Sequence, residues 1–503
     1  MNGRKVGAGL LRDINPLALM TSAEMAAADQ ATINSGAFSG IALMERAGGA
    51  VADAALARFA AAARVHVLCG PGNNGGDGYV AACILSGHGL SVFLYALASP
   101  KLGTDAALAA KTWQGPVGGF DAFAPDPTDL VIDAVFGAGF SGALPDAAAA
   151  ALVRAADAGC RILAVDLPSG VNGDTGKGAD AVGCAATVTF YRRKPGHLLQ
   201  PGRALCGETI VADIGGRAAA PTATAENAPA LWSANLPRAC ADTHKYARGA
   251  VAVFSGPRHG TGASRLAAMA AQRAGAGAVT ILGHPNALDV HAAHVTSIML
   301  RASGEDPLAA LESLKGIGAV VLGPGFGDLP LARSLATAIV DDTGPTLVLD
   351  ADGITAFAGD SAPLFKAARA RDKPALVLTP HAGEFARLFP DLAADAAGGK
   401  PAMARAAAER AGAIVVFKGP DTVIAAPDGR ATINANATPS LATAGSGDVL
   451  AGVIAGLAAQ GMPVFEAACA AVWLHGEAGR ASGPLAIAED LVAALPKVFP
   501  PPD

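Results

Sequence analysis

The sequence predicts an α/β protein of two successive domains, each a largely parallel sheet covered on both faces by helices. Three observations predict it. Short apolar runs alternate with alanine-rich stretches of helical character through most of the 503 residues. Several of these runs are continuously apolar rather than alternating, as strands buried on both faces are. Near the middle the pattern lapses and then starts again, which divides one series from the next.

Taken in order, residues 22–57 read as helical and are expected to pack beside the first sheet. Strands are expected at 65–69, 91–96, 130–136, 161–166, 187–191 and 209–212. Residues 215–230 lose all periodicity in favour of Ala, Thr, Pro and Asn, and are expected to be a linker. A second series follows at 250–254, 278–282, 319–322, 346–349, 375–378 and 414–417. The expected domains are therefore 1–225 and 226–503, with no repeat relating them beyond the alternation itself.

Composition narrows the function. With 51% hydrophobic and 16% charged residues the chain has ample material for filled cores and is not a disordered protein. Its 37 basic and 43 acidic residues leave a net charge of −6 with no block of like charge, so nucleic acid has no electrostatic footprint to bind. Seven cysteines form no Cys-x-x-Cys pair and mostly sit in apolar runs, as small core residues of a reducing cytoplasm would. Arg4, Lys5 and Arg12 are followed by a stretch broken by Asp13, Asn15 and Pro16, unlike a secretory leader. No apolar run approaches the ~18 residues a bilayer span requires, so a soluble protein without a membrane partner is expected.

The chemistry lies just after the strands. Gly70-Pro71-Gly72-Asn73-Asn74-Gly75-Gly76-Asp77-Gly78 connects the run 65–69 to a helical run beginning at Tyr79. Five glycines there let backbone N–H groups approach a phosphate at a helix N-terminus while Asp77 is delivered to the same place. Asp133 with Gly137-Ala138-Gly139-Phe140-Ser141-Gly142, and Asp166-Leu167-Pro168-Ser169-Gly170, follow later strands and should converge on it. The spacing of Gly70, Gly72 and Gly75 matches the dinucleotide fingerprint, yet the second strand ends Leu94-Tyr95-Ala96-Leu97, without the acid that would bind a ribose. A hydride-transferring dehydrogenase is disfavoured; a phosphate-bearing ligand is not.

Together these three motifs resemble the NAD(P)H-hydrate epimerase domain, which implies a Rossmann-like three-layer fold. The resemblance implies that Asn73, Asn74, Gly75, Gly76 and Asp77, Gly137, Ala138, Gly139, Phe140, Ser141, Gly142 and Ala143, and Asp166 contact the hydrated nicotinamide nucleotide. It also implies that Asn74, Asp133 and Ser169 ligate K+, an oxygen-only set suited to a hard monovalent cation. Turn capping is the alternative for Asp133 and Ser169 taken singly.

The second half carries Thr243-His244-Lys245-Tyr246-Ala247-Arg248-Gly249, Gly260-Thr261-Gly262-Ala263, Gly323-Pro324-Gly325-Phe326-Gly327, Asp350-Ala351-Asp352-Gly353, Thr379-Pro380-His381-Ala382-Gly383-Glu384, Lys418-Gly419-Pro420-Asp421-Thr422 and Thr443-Ala444-Gly445-Ser446-Gly447-Asp448. This series resembles the ADP- or ATP-dependent NAD(P)H-hydrate dehydratases of the ribokinase-like fold, and the two resemblances stand in the order found in the bifunctional nicotinamide nucleotide repair proteins of bacteria. They imply that Lys418, Gly419, Pro420, Asp421, Thr422 and Gly447 bind ADP or ATP with Mg2+, and that Ala263, Gly325, His381 and Asp448 contact the hydrate. In one place the chain departs from the family: Ala437-Thr438-Pro439 stands where Gly-Asn-Pro is common, and Thr438 receives no ligand role. Asp350 and Asp352 stay open between N-capping a helix over 353–358 and a role in the site. Glu384 reads first as an acid in a helix first turn.

The expected activity is repair of hydrated NADH and NADPH. The first domain would interconvert the R and S hydrates with Asp77 as acid/base and Asp166 as second candidate. The second would phosphorylate the S hydrate and eliminate phosphate, with Asp448 taking the hydroxyl proton and the helix start at 445–447 stabilising phosphate charge. A cytoplasmic homo-oligomer acting on small molecules is expected. The competing reading is a ribokinase-like small-molecule kinase fused to a nucleotide-binding module, which would leave a stable phosphorylated product.

Overall fold

The computed structural model describes residues 17–217, 220, 222–238, 244–341, 344–395 and 397–500. The basic residues at 4, 5 and 12, Cys240 and Thr243 lie outside them. The chain divides into two compact units between Thr222 and Ala223.

In the first unit β1 (Ala18–Leu19) leads into the helices Ser22–Asn34 and Gly40–Arg58. Seven strands then form one sheet: β2 (Val65–Cys69), β3 (Val92–Ala96), β4 (Val117–Gly118), β5 (Leu130–Ala134), β6 (Arg161–Val165), β7 (Ala186–Phe190) and β8 (Glu208–Ala212). Their order is β4-β3-β2-β5-β6-β7-β8 and every pairing is parallel. The apolar runs serve both faces. Val67, Cys69, Ile132 and Val165 pack with Val51, Ala81 and Leu85 of the helices on one side, while Leu68, Val131 and Ile162 pack with Ala148, Ala151, Leu152 and Ala155 of the helix Asp146–Asp157 on the other. The last four recur at helical spacing and form its inward stripe. The chain moves outward from β2 to β4, then returns to place β5 against the opposite edge of β2. Ligands gather at such a reversal, beyond the carboxyl ends of the two strands.

The second unit begins with β9 (Thr224–Glu226) and continues through β10 (Ala250–Phe254), β11 (Ala278–Gly283), β12 (Met299–Ala302), β13 (Ile317–Leu322), β14 (Thr346–Leu349), β15 (Leu376–Leu378), β16 (Ile414–Phe417), β17 (Val423–Ala425) and β18 (Ala431–Ile433). Their order in the sheet is β9-β18-β17-β16-β15-β14-β13-β10-β11-β12. β10 through β16 pair in parallel, β16, β17 and β18 form an antiparallel meander, and β9 lies parallel to β18. One face is covered by the helices Thr261–Arg273, Ser446–Ala459, Val464–Ser482 and Ala488–Val498. Their alanines allow close crossing: a Cβ on Gly452 would lie 2.1 Å from the carbonyl oxygen of Ala267 on the neighbouring helix. Here too a reversal occurs, between β10 and β13.

Two expectations need correction. Residues 215–230 are not all linker, because β9 lies within them, Ala225 is buried, and Asn227 Nδ2 donates to Asn434 Oδ1 (3.0 Å) and the Cys469 carbonyl (2.8 Å). The strands β4, β9, β12, β17 and β18 were not expected. All are short, and β12 is an exposed edge carrying Arg301 in place of an apolar run.

Candidate active sites

At the first reversal the chain leaves β2 through Gly70, where a Cβ would lie 1.9 Å from the Val135 carbonyl oxygen after β5. Backbone therefore rests on backbone. The helix Asn73–Gly87 starts immediately, with Gly72 as N-cap, so the glycine-rich segment itself forms its first turns. Gly78 lets that helix sit down on the sheet, since a Cβ there would be 2.6 Å from Ala134 Cβ. Asp77 is thereby held rigidly, and buried, at a cavity of about 600 Å³.

Asn73, Asn74, Asp77, Gly137, Ala138, Gly139, Phe140 and Asp166 line this cavity. Gly75 and Gly76 lie beneath its floor, packed on Gly70 and Met44, and Ser141, Gly142 and Ala143 are not among the lining residues. Asp29 and Lys194, which the motifs did not single out, do line it.

Asp166 adopts a left-handed backbone conformation, φ 66°, uncommon for a residue with a side chain. Its carboxylate accepts from Lys194 Nζ (2.5 Å), Thr189 Oγ1 (3.0 Å) and the Ala138 N–H (2.8 Å). Burial opposes its charge, but Lys194 and these hydrogen bonds outweigh that and hold it below the usual carboxylate range. Asp77 goes the other way. Burial first, then the neighbouring charges of Asp166 and Asp29, push its carboxyl well above that range, Lys194 only partly opposing. Asp29 is also raised, mainly by burial. One cavity thus holds a carboxyl that favours its proton beside one that sheds it, the arrangement by which two like groups are given different proton-transfer roles.

Behind the cavity Asp133, at the end of β5, is fully buried. Its oxygens accept from Ser169 Oγ (2.6 Å), Ser169 N (2.8 Å) and Val135 N (3.3 Å), and none of these donors is cationic. Ser169 Oγ also touches the Phe136 N–H and carbonyl. Asn74 stands toward Asp166, its Oδ1 and Asp166 Oδ2 each 2.9 Å from where a Cβ on Gly137 would stand, and its buried Nδ2 has no hydrogen-bond partner. Among the described residues no cluster of three His, Cys, Asp or Glu side chains could hold a metal. A neutral-oxygen set with one carboxylate fits a monovalent hard cation and not a transition metal.

In the second unit the predicted residues also follow strands. Gly325 after β13, in the left-handed region at φ 59°, meets Ala263 and Gly260 of the neighbouring segment: a Cβ there would be 3.3 Å from Ala263 Cβ. Further along the sheet Asp350, Thr379, His381 and Lys418 follow β14, β15 and β16. Lys418 Nζ pairs with Asp350 Oδ1 (2.7 Å) and lies 3.8 Å from Glu384 Oε2, and Thr379 Oγ1 donates to Asp350 Oδ1 (2.7 Å). Gly447 closes over this pair, since a Cβ on it would lie 3.3 Å from Lys418 Nζ and 3.5 Å from Asp350 Oδ2. Gly445, at φ 85°, is the N-cap of the helix Ser446–Ala459, which presents Asp448 in its first turn. Burial, then the Asp350 charge, pushes the Asp448 carboxyl up to about 7, with Lys418 opposing.

His381 is the N-cap of the helix Ala382–Leu388. Its Nδ1 accepts from Gly383 N (3.0 Å) while Glu384 Oε2 accepts from His381 N (2.8 Å), a reciprocal capping box. Its ring remains 55% exposed, leaving Nε2 toward solvent and Glu384 Oε1 (3.5 Å). The capping alternative for Asp350 and Asp352 does not hold. The helix over 352–355 has Ala351, at φ 48°, as N-cap without a side-chain hydrogen bond, and Asp352 Oδ2 instead accepts from Gly327 N (2.9 Å). In the loop after β16, Thr422 Oγ1 exchanges hydrogen bonds with Gly419 N (3.2 Å) and O (2.9 Å). Thr438 caps a short turn and bonds Ser440 Oγ (2.7 Å).

Two family models match. Residues 40–196 match the YjeF-related protein N-terminus, and residues 251–494 match NAD(P)H-hydrate dehydratase. The chain is 36% identical to the bifunctional NAD(P)H-hydrate repair enzyme Nnr of Moorella thermoacetica, over 96% of each chain. To the enzyme of the same name from Escherichia coli it is 32% identical, over 87% of this chain and 84% of the other. Among solved structures, the ADP/ATP-dependent NAD(P)H-hydrate dehydratase of Bacillus subtilis, co-crystallized with ATP/Mg2+, is 28% identical with a TM-score of 0.46, covering 53% of this chain and 94% of that one.

Proposed function

The chain belongs to the family of bifunctional NAD(P)H-hydrate repair enzymes, an epimerase joined to a dehydratase, and we propose from that premise how its own residues divide the work. Ala18–Thr222 is the epimerase domain and the unit from Ala223 the dehydratase domain, starting three residues before the expected boundary at 226. The observation that supports this most is the paired arrangement of carboxylates, one at the start of a helix in each unit and each with a raised pKa.

In the first domain the hydrated nicotinamide nucleotide occupies the cavity along 73–77, 137–143 and Asp166. Asp77, favoured in its protonated form, donates to the hydroxyl at ring carbon six, and water leaves with the C–O electron pair. The resulting cation is stabilised by ionised Asp166, which Lys194 holds in place. Water returning to either face gives its proton back to Asp77, so the two epimers interchange. Asn74, Asp133 and Ser169 hold K+, with the buried Asp133 carboxylate, whose donors are all uncharged, supporting that assignment. The cation would supply positive charge beneath the turn that binds the nucleotide.

In the second domain Lys418, Gly419, Pro420, Asp421, Thr422 and Gly447 receive ADP or ATP, and Ala263, Gly325 and His381 hold the S hydrate beside Asp448. Asp448 accepts the proton of the carbon-six hydroxyl, whose oxygen takes the terminal phosphoryl group while the remainder of the nucleotide departs. Loss of a ring proton and of phosphate then restores the double bond of NADH or NADPH. A carboxyl that titrates near 7 suits a base acting at neutral pH. Lys418 and the N–H groups at the start of the helix Ser446–Ala459 balance phosphate charge. Mg2+ entering with the nucleotide would be held by its phosphates, in keeping with the lack of a carboxylate cage among the described residues.

A cytoplasmic, homo-oligomeric enzyme with no nucleic-acid partner completes the reading. Among the described residues six free cysteines support a reducing compartment, and no helix there is long and apolar enough to cross a membrane. The test is incubation of the purified chain with mixed hydrate epimers, with and without ADP, followed by chromatography. Consumption of both epimers to coenzyme plus inorganic phosphate is expected with ADP, and epimer exchange alone without it. Accumulation of a phosphorylated hydrate would favour the kinase alternative.

A further inference from the structure

Lys400 occupies a position that its own helix disfavours. It is in the first turn of Gly399–Ala411, where the helix dipole repels a cation. Its side chain is only 16% exposed, and it is directed away from solvent to the loop that follows β16. There Nζ donates to Asp421 Oδ1 (2.7 Å), the Asp421 carbonyl (3.1 Å) and the Lys418 carbonyl (3.3 Å), and lies 4.8 Å from the centroid of the Phe417 ring. An ammonium has three hydrogens, and three acceptors on one five-residue loop use them. Lys400 therefore has no donor left for a ligand and acts through the loop.

We propose that Lys400 is a positioning residue for nucleotide binding: it gathers two carbonyl oxygens and the Asp421 carboxylate on the inner side of the loop 418–422, so that phosphates meet Lys418 on a fixed backbone whose own negative charge is cancelled. This rests on the reading of 418–422 as the nucleotide loop. Losing Lys400 would remove the cation paired with Asp421 next to an incoming polyanion and release two carbonyls, while Asp448 and the hydrate contacts would stay as they are. The defect belongs to binding that is equal in the ground and transition states, which raises KM and spares kcat.

The test measures dehydratase kinetics against ADP, at saturating S hydrate, in the full chain and in Lys400→Met, Lys400→Arg and Lys418→Met. Lys400→Met is expected to raise KM for ADP about tenfold, with kcat within about twofold of the parent. Lys400→Arg, which keeps the charge and N–H donors, should recover most of that loss. Lys400→Gln carries the same comparison against Lys400→Arg if the methionine variant does not fold. An unchanged KM in Lys400→Met, with KM raised in Lys418→Met, overturns the role of Lys400 while leaving the loop as the nucleotide site. Unchanged KM in both variants overturns the loop assignment and the proposal with it. A fall in kcat without a rise in KM, not recovered by arginine, would mean that Lys400 is only part of the fold and also overturns the proposal.

Discussion

The two halves of the chain solve one electrostatic problem in the same way and stop at different points. In each, a glycine turn opens a helix that delivers an aspartate, Asp77 or Asp448, beside a second carboxylate. In each, a lysine pairs with that second carboxylate, buried Lys194 with Asp166 and part-buried Lys418 with Asp350, so the helix-borne acid faces a negative neighbour whose partner is already taken. What differs is burial. Asp77 is almost wholly enclosed and is pushed well above the carboxylate range, whereas Asp448, less enclosed, rises only to about 7. The same residues can therefore favour a proton donor in one cavity and a proton acceptor in the other, with solvent access deciding between them.

Removing the acceptor should have the largest effect. Asp448→Asn is expected to abolish coenzyme recovery, a loss of about 10²–10⁴ or more in kcat, and to leave epimer exchange at the parental rate. Asp77→Asn should lower epimer exchange by about 10²–10⁴ while the S hydrate is still converted with ADP. Undiminished exchange in that variant would move the acid/base role to Asp166. A smaller effect probes the lysine clamp. Lys194→Met leaves Asp166 buried without its cation, which should destabilise the first unit by about 3–5 kcal/mol in thermal unfolding. It should also slow exchange, with partial recovery as pH rises and Asp166 again loses its proton. Recovery on lowering the pH would contradict the assignment of Asp166 as the ionised member.

The mildest probe is pH alone. Asp448 must be unprotonated to act, so dehydratase kcat/KM, which reports the free site, should rise about tenfold per pH unit below about 7 and level off above it. Asp77 must be protonated, so exchange should persist through neutral pH and decline only as the solution becomes alkaline enough to strip it. Parallel profiles for the two activities would erase the contrast between the sites.

Much of this was readable from the chain, and the exceptions have physical causes. Strands such as Val65–Cys69 and Ile414–Phe417 stand out because burial on both faces leaves no polar residue to interrupt them. Asp77 and Asp166 could be singled out because each follows a strand near glycines, where a fold of this class collects its ligands, and Asp448 because a glycine turn opens its helix. Lys194 could not: within Tyr191-Arg192-Arg193-Lys194 it reads as part of a basic surface stretch, yet it is 2% exposed and turned inward to Asp166. Lys400 was missed for a similar reason, being a lysine on an alanine-rich helix whose partners lie 18 and 21 positions away. Asp350 reads in sequence as either a cap or a site residue, because the positive-φ turn at Ala351, which frees it from capping, has no glycine to announce it. Charge pairing across a sheet is a tertiary property, and local pattern carries little of it.

The central claim is that two separate sites, each built around its own helix-borne aspartate, act in sequence on one pool of hydrate. Mixing the Asp77→Asn and Asp448→Asn proteins tests it most directly. With ADP and both epimers, the first alone should consume the S form and then stall at the slow spontaneous rate, and the second alone should exchange epimers without producing coenzyme. Together they should convert the whole pool at a rate near that of the parent chain. If the folded mixture stalled where Asp77→Asn alone stalls, or if Asp448→Asn had lost both activities, the two aspartates would belong to one composite site and the account would be wrong.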